Sequence, residues 1–268
     1  RSFIPLWIKR LKKLGYGYEN FAFYPQDEPG LEHGKNVNKF MKLAKLVRDI
    51  DPKIRIYANP VPQITMEQLQ EIEPYVDIWS PLRTQIYPKE KLEFIHSTNT
   101  LWWNYDCTEN AKRLSPLSYY RGQAWMNWYY GHAGIGFYTY YQGSNYWYQP
   151  ESGFEYAMIY EGKGVVTSKR WEAVRDGVED YTLLHSLKMM ADANDKAGTS
   201  KELVRIVRIL LNEKTAIISD FNKENDAQVT TISKYGKAGA RKIADKRLES
   251  INSIRNEIAE LFDQLQKN

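Results

Sequence analysis

The sequence predicts an α/β fold, a (β/α)8 TIM barrel of which this chain carries the last five βα units. Three observations predict it. Short apolar runs alternate with amphipathic helical patterns across short connections, which is the mark of a parallel sheet with crossover helices. Polar and aromatic residues stand at the C-terminal end of every strand run: Asp27 and Glu28, Asn59, Trp79 and Ser80, Tyr105 and Asp106, then Tyr138 and Tyr140. Barrels carry their active sites at that face. No glycine-rich phosphate loop follows any strand run, which disfavours the doubly wound dinucleotide fold that the alternation also allows.

The elements follow in order. Pro5 to Leu14 reads as a helix with Leu6, Ile8, Leu11 and Leu14 among its apolar positions, ended by Gly15 and Gly17. Phe21 to Tyr24 is a short strand. Val37 to Ile50 is a helix closed by Asp51-Pro52, and Ile54 to Ala58 is a strand ending at Asn59-Pro60. Met66 to Pro74 is a helix started from Thr65, with Glu67 in its first turn. Val76 to Trp79 is a strand, Lys89 to His96 a helix, and Thr100 to Trp103 a strand ending at Asn104-Tyr105-Asp106. Ser118 to Tyr130 is a helix, Gly134 to Tyr140 the fifth strand, and Lys169 to Ala191 a long helix. After about Ala193 the character changes. Glu202 to Phe221 and Ala240 to Gln266 read as charged amphipathic helices, with a polar, turn-rich stretch between them at Asn222 to Gly239. The expected organisation is therefore a barrel part over residues 1–193 and a helical appendage over 194–268. The chain opens at Arg1 directly into a helical pattern and reads as the C-terminal part of something longer, with targeting information upstream.

Composition narrows the function classes. The formal charge of +4 is mild, and its lysines fall on helix faces, so there is no nucleic-acid footprint. No run is long and apolar enough to span a membrane. The single Cys107 rules out an internal disulfide framework and a cysteine-based metal cluster. No arrangement of His, Asp and Glu has metal-ligand spacing, and no cofactor is expected. Of the 20 Tyr and 8 Trp, half cluster between Trp102 and Trp147, and such side chains, with an apolar face and a polar tip, suit either a core or sugar rings.

The most informative segment is Phe21-Ala-Phe-Tyr-Pro-Gln-Asp27-Glu28-Pro29-Gly30. A strand run ends in two adjacent carboxylates, and Pro-Gly turns the chain behind them. Two neighbouring acids do not easily both ionise in a confined site, so one is a candidate proton donor; the alternative is a helix-capping or turn pair on a solvated loop. On an extended segment neighbouring side chains point to opposite sides, so each acid addresses a different part of a ligand. Asp106 is the next acid at a strand end. It is either a turn cap or the partner of Glu28 in a conventional retaining glycosidase, whose two carboxyl groups lie about 5 Å apart. Tyr105 is a candidate polar contact to substrate. Asn59, Trp103, Tyr138, Tyr140, the loop residue Trp147 and His33 just beyond the acid pair are further candidate ligand contacts. The helix Ser168-Lys-Arg-Trp-Glu-Ala-Val-Arg-Asp-Gly-Val-Glu-Asp-Tyr181 places Trp171, Val174, Val178 and Tyr181 on one stripe. Its Gly177, costing about 1 kcal/mol relative to Ala, hints at close packing, and its charges read as a structural salt-bridge network.

Three of these segments together resemble a known family. They are Asp27-Glu28-Pro29, the aromatic stretch Tyr130-Gly-His-Ala-Gly-Ile-Gly-Phe-Tyr-Thr-Tyr140, and Ser168 to Tyr181. In this order and spacing, across roughly residues 1–190, they look like the C-terminal part of the catalytic domain of glycoside hydrolase family 123 and of the wider domain-of-unknown-function family 4091. The resemblance implies a (β/α)8 barrel preceded by a β-sandwich domain in the same parent chain, an amino-sugar glycoside as substrate, and a bacterial envelope or secreted setting. It implies an exo-acting β-N-acetylgalactosaminidase that retains configuration by substrate assistance, an exception to the two-carboxylate rule. By position, Glu28 would be the general acid/base. Asp27 would orient the acetamido nitrogen and stabilise the oxazolinium-like intermediate. Tyr105 would hydrogen-bond the acetamido oxygen, and Asp106 would be a bystander or a sugar hydroxyl ligand. The rival readings are the conventional retaining glycosidase with Glu28 and Asp106, and a catalytically silent carbohydrate-binding module.

Overall fold

The computed structural model describes residues 3–31, 34–82, 87–107, 116–141, 157–218 and 228–267, excepting the side chains of 116, 228–237 and 240. Two compact units divide the chain. One comprises 1–106 and 132–136, the other 107–131 and 137–268.

The first unit is built on strands β1 (Ala22–Phe23), β2 (Arg55–Ala58), β3 (Ile78–Trp79), β4 (Leu101–Asp106) and β5 (Gly134–Phe137, its last residue counted with the second unit). They form one curled parallel sheet in the order β1-β2-β3-β4-β5, half of a barrel. Every crossover moves to the adjacent strand in the same direction. A doubly wound sheet would instead reverse at a switch point. Register pairs Ala22 with Arg55, Tyr57 with Ile78, and Ile78 with Leu101. Alternation therefore puts Arg55, Tyr57, Trp103 and Tyr105 on one face and Phe23, Ile56, Ala58, Trp79 and Trp102 on the other.

The second of these faces is covered by helices α1 (Phe3–Lys13), α2 (Lys35–Ile50), α3 (Met66–Ile72) and α4 (Lys89–Ser97). Ile56, Ala58, Trp79 and Trp102 are buried there in one cluster with Ile4 and Ile8 of α1, Val37, Phe40, Ala44 and Val47 of α2, Leu69 of α3 and Ile95 of α4. The α2 positions recur at three- and four-residue steps, the stripe of a helix buried on one side. Thr65 caps α3: its hydroxyl accepts from Gln68 N at 3.2 Å, and Gln68 Oε1 accepts from Thr65 N at 3.0 Å. The first face, which also carries Ala22, Ile78 and Leu101, is turned away from these helices and sets out Tyr57, Trp103 and Tyr105.

The second unit contains α5 (Arg121–Tyr130), α6 (Lys169–Ala197), α7 (Lys201–Ile209, continued by a wider turn at Leu210–Lys214) and α8 (Gln228–Gln266). Leu184, Leu187, Val204, Val207, Ile251, Ile254, Ile258 and Leu261 close its main core. Residues 228–239, read as part of a turn-rich stretch, are the first turns of α8. A hairpin of β6 (Ile159–Glu161) and β7 (Val165–Thr167) was not foreseen. Among the described residues no helix is long and apolar enough to cross a membrane.

Candidate active site

The acid pair stands just beyond β1, at the C-terminal edge of the sheet. Its backbone is bent, not extended. Glu28 has φ 46°, the left-handed region, which costs a non-glycine residue about 1 kcal/mol or more. The expected opposition of the two side chains therefore does not come from strand geometry. Gly30, at φ 108°, makes the turn behind the acids. A Cβ there would sit 2.7 Å from Ile64 Cβ, so only glycine lets this loop lie against the one after β2. Pro29 O accepts from Val61 N at 3.2 Å and fastens the same two loops.

Separate donors serve the two carboxylates. Asp27, exposed at the surface, accepts on Oδ1 from the Tyr24 hydroxyl and from Asn59 Nδ2 at 3.0 Å. Glu28, half-buried, accepts on Oε1 from the Tyr105 hydroxyl. Asn59 also accepts the Glu28 N–H on its Oδ1 at 3.1 Å. Burial first, then the hydrogen bond to Glu28, pushes the Tyr105 phenol far above its ordinary value, so it remains a donor at any physiological pH. Burial, reinforced by the bond to Asp27, does the same to Tyr24.

An aromatic wall runs beside the pair. The Tyr24 and Tyr57 rings meet edge-on at 5.2 Å between centroids, and Tyr57 meets Trp103 at 6.0 Å. Two glycines on β5 make room for the β4 side chains. A Cβ at Gly134 would fall 2.6 Å from the Trp103 ring, and one at Gly136 would fall 2.9 Å from Tyr105 Cβ. The glycine spacing Gly134-Ile-Gly136 thus matches the spacing of Trp103 and Tyr105 across the strand pair.

The structure brings together Asp27, Glu28, Asn59 and Tyr105, with Trp103 joined through Tyr57. Asp106 follows Tyr105 on β4, so it points to the opposite face, and it is 1% exposed. Tyr138 and Tyr140 are half-exposed residues of the second unit, where Tyr140 meets Trp171 edge-on at 5.3 Å. His33 and Trp147 lie outside the described residues. Sequence reasoning missed Tyr24 and Tyr57. The signal for Tyr24 was its place three residues before Asp27, and that for Tyr57 its place two residues before Asn59 on the same strand run.

Chemically, two adjacent carboxylates with unequal exposure and different donors can serve a bound ligand in different roles. The half-buried one suits proton transfer, and the exposed one, pinned by two donors on one oxygen, suits holding a ligand N–H or a developing positive charge. Among the described residues no group of three or more His, Cys, Asp or Glu is gathered to hold a metal ion. No family model and no curated protein matches the chain.

Proposed function

We propose that the chain is the C-terminal part of a (β/α)8 glycoside hydrolase that cleaves β-linked N-acetylhexosaminides, with N-acetylgalactosaminides as the expected substrates, by substrate-assisted catalysis. The observation that carries the reading is the split support of the acid pair, Tyr105 on Glu28 and Tyr24 with Asn59 on Asp27, at the C-terminal edge of a curled parallel sheet. The strain at Glu28 adds to it, because backbone strain gathers at functional positions.

In the proposed reaction the substrate's acetamido oxygen attacks the anomeric carbon while Glu28 gives its proton to the departing glycosidic oxygen. The C–O bond to the leaving group breaks, and a bicyclic oxazolinium ion remains. Asp27 accepts the acetamido N–H, orienting the group and stabilising the positive charge that forms on it. Glu28, now a carboxylate, takes a proton from water as that water attacks the anomeric carbon. The ring opens, and the product keeps the configuration of the substrate. Tyr105 as the donor to Glu28 fits this scheme better than Tyr105 as a contact to the acetamido oxygen. The conventional retaining alternative loses support because Asp106 is buried on the opposite face from Tyr105. The remaining strands of the barrel, and a β-sandwich domain, would come from upstream in the parent chain.

The test is a panel of aryl β-glycosides, with and without the 2-acetamido group, given to the intact protein. Turnover confined to the acetamido members is expected. Turnover of 2-hydroxy glycosides at equal rates would refute substrate assistance, and no turnover of any member would refute the enzyme.

A further inference from the structure

Asn59 is where the two acids are joined. It directly follows β2 and is 4% exposed, and both ends of its amide are used. Oδ1 accepts the Glu28 N–H at 3.1 Å, and Nδ2 donates to Asp27 Oδ1 at 3.0 Å. The amide can sit only one way round. Reversed, it would set its oxygen against the Asp27 carboxylate and its NH2 against the Glu28 N–H. The first bond holds Glu28 in its left-handed backbone, a conformation a glutamate does not keep by itself. The second joins the Tyr24 hydroxyl on the same oxygen of Asp27, which fixes the orientation of that carboxylate. A buried amide so engaged has little left to offer a ligand.

We propose that Asn59 is a positioning residue for both acids and that, through Asp27, it sets the preference for a 2-acetamido over a 2-hydroxy sugar. The second half of the proposal rests on the hexosaminidase reading; the first half does not. Two variants separate the bonds. Asn59→Asp keeps an acceptor for the Glu28 N–H but turns a carboxylate oxygen toward Asp27. Asn59→Ala removes both bonds.

The experiment pairs kinetics with amide hydrogen exchange on the intact protein. In Asn59→Asp, kcat on an aryl 2-acetamido glycoside should fall about 10- to 100-fold with little change in KM, and the preference over the 2-hydroxy glycoside should shrink about as much. Exchange at the Glu28 amide should stay slow in Asn59→Asp and quicken about tenfold or more in Asn59→Ala. Equal losses on both sugars would make Asn59 a structural residue only and overturn the proposal, as would an unchanged preference. If the unmodified protein cleaves neither sugar, the hexosaminidase reading has failed, and Glu28 exchange still decides the clamp. Should Asn59→Ala not fold, the unmodified protein must show a slow Glu28 amide, and exchange at the rate of a free peptide would overturn the clamp.

Discussion

The Tyr105 hydroxyl donates a hydrogen bond to Glu28 Oε1, joining the fourth strand of the sheet to the bend after the first, 77 positions apart in sequence. The bond binds the oxygen of the acid assigned to proton transfer. Tyr105→Phe keeps the ring and removes only the donor. A hydrogen bond to a charged group contributes about 1.5–3 kcal/mol, so kcat on an acetamido glycoside should fall about 10- to 100-fold, and the thermal midpoint should drop only by the several degrees that such a loss carries. Steady-state kinetics beside a thermal melt checks this; an unchanged kcat would mean the bond does not bear on the reaction.

Asp180 of α6 gathers the polar centre of the second unit. It accepts from Arg121 Nε at 2.6 Å and Nη2 at 3.1 Å, from Trp125 Nε1 at 2.9 Å, and pairs with Arg255 at 3.2 Å. The Arg121 and Asp180 side chains are 7% and 0% exposed. Asp180→Ala leaves a buried guanidinium without its carboxylate and should cost about 3–5 kcal/mol. Asp180→Asn, which keeps an acceptor but loses the charge, should cost less. Urea unfolding of both variants measures the difference; equal, small losses would show that Asp180 does not anchor the arginines.

His132 is buried between chain segments of the first unit, its ring 4.6 Å from Trp102. Burial first, and the nearby His96 second, pull its pKa down to about 3. In the unfolded chain the same imidazole takes a proton near pH 6.5. Between those values the unfolded state binds the extra proton, so stability is full above about pH 6.5 and falls as the pH drops toward 3. This group's share is about 1.4 kcal/mol per pH unit. Unfolding free energies at several pH values, compared between the unmodified protein and His132→Phe, should differ in slope over that window. Parallel slopes would contradict the account.

Much of the fold was legible from local pattern. The stripe of Val37, Phe40, Ala44 and Val47, the Thr65 cap and the polar ends of the strands all follow from spacings of a few residues. Gly177, read as a sign of close packing, is one: a Cβ there would lie 2.9 Å from Arg121 O on α5. The misses have physical causes. Val165 and Val166 are both exposed, so β7 lacks the alternation by which a strand is recognised. Gly236 and Gly239 read as turn residues, yet they lie in α8, whose later turns are anchored by Ile251, Ile254, Ile258 and Leu261. Once a helix is nucleated, extending it costs little, and two glycines do not stop it. Within the site, strand ends pointed to Asp27, Glu28, Asn59 and Tyr105. Which of them touch depends on the curl of the sheet and on a left-handed bend at Glu28, and neither is written in a local spacing.

In the proposed reaction the substrate's acetamido group is the nucleophile, and the Asp27–Glu28 pair receives the bicyclic intermediate. Calorimetric titration of the intact protein with a thiazoline analogue of the acetamido sugar, beside the plain acetamido sugar, decides whether it does. Intermediate analogues bind at least about 100-fold more tightly than ground-state ligands, and the thiazoline should show that margin and lose it in Asp27→Asn. Equal affinity for the two ligands would contradict it.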